Sequence, residues 1–222
     1  MKQTFFSSAG RNIRLCEADA SNAPLVVLHS FGEEADQVLA AVGEAPFHLL
    51  FVDVPDWERD LTPWACPPLR RGGAPCSGKA DAYLPLLTGV ILPDALARLA
   101  AAPRCLAIAG YSLAGLFALY ALYRTDVFSR AASVSGSLWY PEFLDFCRAN
   151  TPRKTPDRLY LSLGDREPNT RHPLMRTVGE RTEALAAFYA AAGIPTAFEW
   201  NPGSHFTDPG SRTARALFAL LT

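Results

Sequence analysis

Apolar positions along the chain fall into short blocks whose spacing switches repeatedly between that of a strand and that of a helix. Residues 4–7, 13–17, 25–29 and 47–52 read as strands, and a helical pattern over 34–43 separates the last two. Leu25-Val26-Val27-Leu28 is apolar without alternation, as a strand covered on both faces must be. Residues 54–79 show no period and are rich in Pro, Gly, Trp and Cys, which marks a loop too long to be incidental. Residues 81–101 read as a helix carrying Leu84, Leu87, Ile91, Leu92, Leu96 and Leu99, with Pro85 and Pro93 placed to bend or divide it. Beyond it the pattern predicts strands over 104–109, 130–135, 158–163 and 196–200, and helices over 113–124, 141–149, 173–192 and from 209 onward. No repeat or linker interrupts this alternation. The expected architecture is therefore a single α/β domain over residues 1–222, a mostly parallel twisted sheet with helices on both faces and no large lid domain.

Composition narrows what such a domain can do. Hydrophobic residues make up 49% of 222 positions, enough for a large core. Lys and Arg total 21 against 22 Asp and Glu, and no basic cluster exceeds Arg70-Arg71, so neither nucleic acid nor an anionic membrane is expected as a partner. Residues 105–123 carry no charged side chain and approach the length of a membrane span. Gly110, Ser112 and Gly115 break that run, and a buried strand followed by a buried helix accounts for it. The five cysteines (Cys16, Cys66, Cys76, Cys105 and Cys147) are odd in number and lack CxxC spacing, which reads as reduced thiols. Cys66 and Cys76 could pair across the long loop, but nothing requires it. The amino terminus lacks the apolar stretch of a secretory signal, so the expected location is the cytoplasm. No His/Cys/Asp cluster has metal-ligand spacing and no glycine-rich phosphate loop is present, so no metal or cofactor is expected.

The candidate chemistry concentrates at Gly110-Tyr111-Ser112-Leu113-Ala114, where an apolar strand meets an apolar helix. A serine raised on a sharp strand-to-helix turn needs small residues two before and two after it, because the chain doubles back there. Gly110 and Ala114 supply them. In open α/β sheets the reacting groups collect on loops at the carboxyl ends of the strands. Of the four histidines, His48 opens a strand and His172 precedes a helix, whereas His205 follows the strand at 196–200, where a general base for Ser112 is needed. The carboxylate that orients this base should follow the strand at 158–163, and both Asp165 and Glu167 stand there. Taken alone, these acids fit a solvated charged turn equally well; the chain order Ser, acid, His favours the catalytic reading. His29, in His29-Ser30-Phe31-Gly32, is expected to shape its loop rather than react. The amides of Leu113, at a helix start, and of Phe31 are the expected donors to an oxyanion. The long loop, 54–80, should cross the active-site mouth, where Trp57 and Trp64 either wall the substrate or simply pack the loop down. Trp139, Tyr140 and Tyr111 are expected to line the substrate pocket.

Gly110-Tyr-Ser-Leu-Ala-Gly-Leu-Phe-Ala118, the run from Phe128 to Ser135-Gly-Ser-Leu-Trp-Tyr140, the Leu163-Gly-Asp-Arg-Glu167 turn and Pro202-Gly-Ser-His205 resemble the esterase branch of the α/β-hydrolases. That branch includes S-formylglutathione hydrolases, feruloyl esterases, siderophore esterases and mycolyltransferases, and the likeness runs from the strand at 25–29 to the C-terminus. It implies a serine hydrolase that cleaves a small-molecule carboxylic ester through an acyl-serine intermediate, without a cofactor. It also selects Glu167 over Asp165, since the acid in that branch lies three residues past the turn glycine. An acyltransferase would use the same triad, and a non-catalytic binding protein of the same fold is the alternative from another class. Two positions depart from the pattern: Ala114 stands where the branch usually has Gly, and His29-Ser30 replaces the usual His-Gly or Asp-Gly.

Overall fold

The computed structural model describes residues 1–30, 33–68 and 73–221. A hairpin of β1 (Lys2–Ser8) and β2 (Arg11–Glu17) leads into β3 (Leu25–Ser30), α1 (Glu34–Val42) and β4 (His48–Asp53). The long loop that follows is not wholly irregular. It contains a one-turn helix α2 (Trp57–Asp60) and two short strands, β5 (Ala65–Cys66) and β6 (Cys76–Ser77), that pair with each other antiparallel. Next come α3 (Ala80–Leu86), α4 (Leu92–Leu96), β7 (Leu106–Tyr111), α5 (Leu113–Arg124) and β8 (Arg130–Val134). The chain finishes with α6 (Phe143–Ala149), β9 (Arg158–Gly164), α7 (Val178–Ala191), β10 (Thr196–Asn201) and α8 (Pro209–Leu221).

The main sheet has eight strands in the order β1-β2-β4-β3-β7-β8-β9-β10. The strands from β4 to β10 in that order run parallel, and β1 and β2 join antiparallel at one edge. Alternation along β3 explains why its sequence shows none: Leu25 and Val27 enter the core formed with α3, α5 and α6, whereas Val26 and Leu28 enter the core formed with α1 and α8. Every residue of α5 from Leu113 to Tyr123 is buried, which accounts for the chargeless stretch beginning at 105.

The expected helix over 81–101 is divided and stops early. A π-helical turn, Leu87–Ile91, joins α3 to α4, and the helix ends at Leu96. Pro85 and Pro93 each lack an N–H, so the ladder between them closes with wider spacing. The helix expected from 173 begins only at Val178, after a 3₁₀ turn at Met175–Thr177. His172 ends the loop before it: its Nδ1 accepts from the N–H groups of Leu174 and Met175, each at 3.3 Å.

α8 is tied to the sheet from below. Arg104, just before β7, and Arg130 and Arg158, the first residues of β8 and β9, donate to the carbonyls of Leu221, Leu220 and Ala219 at 3.3, 2.9 and 2.9 Å. The last carbonyls of a helix have no partner within it and carry the negative end of its dipole, so the three guanidinium groups satisfy both needs. Among the described residues, no helix is long and apolar enough to cross a membrane.

Candidate active site

Ser112 sits between β7 and α5 with φ 56° and ψ −123°, a left-handed conformation that costs a non-glycine residue about 1–3 kcal/mol. Backbone bonds hold it there. Its N–H donates to Val134 C=O at 3.1 Å, and its C=O accepts from Gly115, Leu116 and Ser137 at 3.0, 3.2 and 3.0 Å. The need for small neighbours is explicit: a Cβ on Gly110 would stand 2.3 Å from the Ala114 carbonyl carbon and 2.5 Å from the Ala114 Cβ. Ala114 fits because the residue facing it is glycine.

The turns after β9 and β10 bring the other groups to this serine. His205 Nε2 lies 3.2 Å from Ser112 Oγ, and His205 Nδ1 lies 2.7 Å from Glu167 Oε2. Glu167 Oε1 accepts from the Gly164 N–H at 2.7 Å, closing its own turn. Asp165 faces elsewhere: its Oδ1 accepts from the Gly203 N–H at 2.7 Å and its N–H donates to Asn201 C=O at 2.8 Å, tying the two turns together. Tyr111 steadies the histidine loop by donating its hydroxyl to His205 C=O at 2.6 Å.

Burial by itself would raise the Glu167 carboxyl, but the hydrogen bond from His205, the imidazolium charge, and bonds from Ser135 and the Gly164 N–H bring it below the usual carboxylate value. An ionised Glu167 requires a hydrogen on His205 Nδ1, and that tautomer leaves the Nε2 lone pair facing the Ser112 hydroxyl. The arrangement can therefore accept the serine proton and stabilise the cation that results.

Ser112 opens on a cleft of about 450 Å³. Tyr111, Leu113 and His205 form its inner surface, while Pro55, Trp57 and Phe206 supply apolar walls and Glu34 and Glu58 supply carboxylates. Phe206 is 86% exposed, an unusual state for a phenylalanine and one that leaves its ring available to a ligand. Trp57 and Tyr111 line this cleft. Trp64, Trp139 and Tyr140 do not line it. Trp64 Nε1 donates to Pro141 C=O at 3.0 Å, the Tyr140 hydroxyl donates to Trp64 C=O, and the rings of Trp64 and Trp139 both contact that of Tyr140. Trp64 and Tyr140 fasten the long loop to the body, their polar atoms satisfied inward.

The remaining candidates divide as follows. Leu113 is in the cleft at the start of α5, and Phe31 lies outside the described residues. His29 is buried between Tyr83 and Phe117, with Nε2 3.0 Å from the Tyr83 hydroxyl. Burial, helped by the Arg11 charge, lowers its pKa to about 3, so it is neutral and structural. His48 is structural as well, its Nδ1 accepting from the Ala18 N–H at 3.1 Å. Among the described residues, no group of three His, Cys, Asp or Glu could hold a metal ion.

Two residues near the site escape a sequence reading. Ser137 Oγ stands 3.4 Å from Ser112 Oγ, and Arg212 packs beneath Glu167. The only advance signal for Arg212 is an arginine in register with the apolar face of a terminal helix.

Residues 29–201 match the protein family described as "Putative esterase". A curated relative, the uncharacterized protein YbbA of Bacillus subtilis (strain 168), is 23% identical over 129 residues, which are 57% of this chain and 52% of that protein, so the match spans about half the relative's length. Among solved structures, an IroE-like serine hydrolase from Shewanella oneidensis superposes with a TM-score of 0.78 at 16% identity, covering 99% of this chain and 79% of that one. The siderophore hydrolase EstB from Aspergillus nidulans gives a TM-score of 0.67 at 18% identity, covering 96% and 92%. The architecture is the α/β-hydrolase fold, and with most of its length matched, the chain belongs to this esterase family.

Proposed function

We propose that the protein hydrolyses a carboxylic ester through an acyl-serine intermediate, with Ser112 as nucleophile, His205 as base and then acid, and Glu167 as the carboxylate that orients His205. The reading is carried by one observation: the relay from Ser112 Oγ to His205 Nε2 at 3.2 Å and from His205 Nδ1 to Glu167 Oε2 at 2.7 Å, with the serine open to the cleft. In this mechanism, Nε2 takes the hydroxyl proton as Oγ bonds to the ester carbon, and the carbonyl oxygen becomes an anion. The Leu113 N–H, at the positive end of α5, donates to that anion; one such donor contributes about 3 kcal/mol to the transition state. The imidazolium then gives its proton to the departing alcohol oxygen, leaving the acyl group on Ser112. Water attacks the acyl carbon, His205 takes the water proton and returns it to Oγ, and the acid leaves. The sum is ester plus water to acid plus alcohol.

The lining bears on substrate choice. The walls of Trp57, Phe206 and Pro55 favour apolar groups, and the described lining carries Glu34 and Glu58 but no lysine or arginine. The Glu58 carboxylate in the lining opposes an anionic substrate. An uncharged or cationic ester therefore fits better than a densely anionic one, including any siderophore ester of that charge.

A panel of neutral, cationic and anionic model esters, run on wild type, Ser112→Ala, His205→Ala and Glu167→Gln, tests this reading. Wild type should release alcohol in a burst matching the enzyme concentration, and Ser112→Ala should not. Acyl transfer to added alcohols in place of hydrolysis would make the protein a transferase. No turnover of any ester, and no covalent adduct, would leave a binding protein.

A further inference from the structure

Arg212, in the first turn of α8, is only 3% exposed and takes no part in the steps above. Its guanidinium joins the last residue of one parallel strand to the segments that follow three others. Nη1 donates to Ser135 Oγ past β8 at 3.2 Å and to the hydroxyl of Tyr111, the last residue of β7, at 3.4 Å. The same nitrogen lies 3.5 Å from Glu167 Oε1 past β9, and Nη2 donates to Pro202 C=O past β10 at 2.8 Å. A guanidinium out of water is strongly unfavourable unless it is paired and hydrogen-bonded. Among the described residues, Glu167 is the one carboxylate that Arg212 reaches. Gly164 keeps the space open, for a Cβ there would stand 2.9 Å from Glu167 Oε1 and 3.0 Å from Arg212 Nη1.

We propose that Arg212 is a positioning residue for the reaction: it fixes the carboxylate rotamer that presents Oε2 to His205, and its charge balances that of Glu167. The inference rests on the triad proposed above. Oε1 is held by Arg212 and the Gly164 N–H, which leaves Oε2 for the imidazole. Without the arginine the site is one unit more negative, and a more negative site holds a proton on His205 more tightly. Among the described residues, the charged and titratable groups around His205 are Glu167 from the β9 turn, Tyr111 from β7, Arg212 from α8, Glu34 from α1 and Glu58 from α2 across the cleft, with Asp165, Arg166 and Asp208 beside its loop. Of the two arginines in this set, Arg212 is the one that reaches the Glu167 carboxylate.

The test is the pH profile of kcat/KM for wild type, Arg212→Gln and Arg212→Lys, together with each change in the Glu167→Gln background. Arg212→Gln should lower kcat about 10- to 100-fold with KM little changed, the size typical of lost outer-shell support. Its acidic limb should move to higher pH by about half a unit or more. Arg212→Lys, which keeps the charge but not the planar fork, should lower kcat while leaving the limb in place. In the Glu167→Gln background either change should add little, since both act on one interaction. An unmoved limb in Arg212→Gln, or losses that simply multiply with Glu167→Gln, would overturn the proposal. Where Arg212→Gln does not fold, Arg212→Lys decides through that double variant: multiplicative loss overturns the role and sub-multiplicative loss supports it. Full activity in Ser112→Ala would remove the triad reading itself, whereas an inactive Ser112→Ala beside an unmoved limb removes only the role of Arg212.

Discussion

Arginines hold both ends of α8 to the sheet, and the two ends differ in what those arginines meet. At its carboxyl end, Arg104, Arg130 and Arg158 reach backbone carbonyls of the last turn. At its amino end, Arg212 reaches a carboxylate, two hydroxyls and a carbonyl at the end of β7 and on the segments that follow β8, β9 and β10. Topology assigns the difference. In a parallel sheet all amino ends lie on one side and all carboxyl ends on the other, so a helix spanning the sheet contacts structural strand starts at one end and the loops that carry Ser112, Glu167 and His205 at the other. The same residue type therefore supports the fold at one end and the proposed chemistry at the other.

The largest effect that could break this division is at the carboxyl ends of the strands. Ser112→Ala should lower ester hydrolysis by about 10⁴-fold or more while leaving thermal unfolding nearly unchanged, checked by steady-state kinetics and calorimetry. Glu167→Gln should follow, with a loss of about 10³- to 10⁴-fold in kcat, since the amide cannot stabilise the imidazolium.

The next effect shows that position at a strand end is not sufficient for chemistry. His29 also stands near the carboxyl end of a strand, one residue before Ser30, yet its pKa falls from 6.5 to about 3 through burial and the Arg11 charge. Between those values the unfolded chain binds a proton that the native state refuses, so stability declines as pH falls from 6.5 toward 3. The slope is at most about 1.4 kcal/mol per pH unit. Urea midpoints from pH 7 to pH 4 should show this slope in wild type and a shallower one in His29→Gln; equal slopes would mean His29 is not the group responsible.

At the amino ends of the strands, Arg130→Met should cost about 1 kcal/mol of stability, the worth of one hydrogen bond at a helix end, without altering kcat. A fall in kcat there would dissolve the contrast between the two ends. Among the variants at the carboxyl ends of the strands, Asp165→Asn should change kcat least: the carboxylate binds the Gly203 N–H, and an amide oxygen can do the same.

The alternation of strands and helices was legible because burial on two faces leaves apolar runs, and the helix at Leu113–Arg124 is read from the sequence to the residue. Turn chemistry was legible for the same local reason, since Gly110 and Ala114 flank Ser112 within one turn. What composition could not reveal is which way a loop aromatic points. Trp57 enters the cleft and Trp64 packs away from it, although both lie on the same long loop. Nor could local pattern show the π turn between Pro85 and Pro93, the late start of α7, or the partner of Arg212, because each depends on backbone geometry or contacts set by the assembled sheet.

The nucleophile is the centre of this account, and a fluorophosphonate probe followed by peptide mapping tests it most directly. Wild type should gain one phosphonyl adduct, located on Ser112, with none in Ser112→Ala and slow labelling in Glu167→Gln. Ester hydrolysis that persists in Ser112→Ala, or an adduct on any other residue, would contradict it.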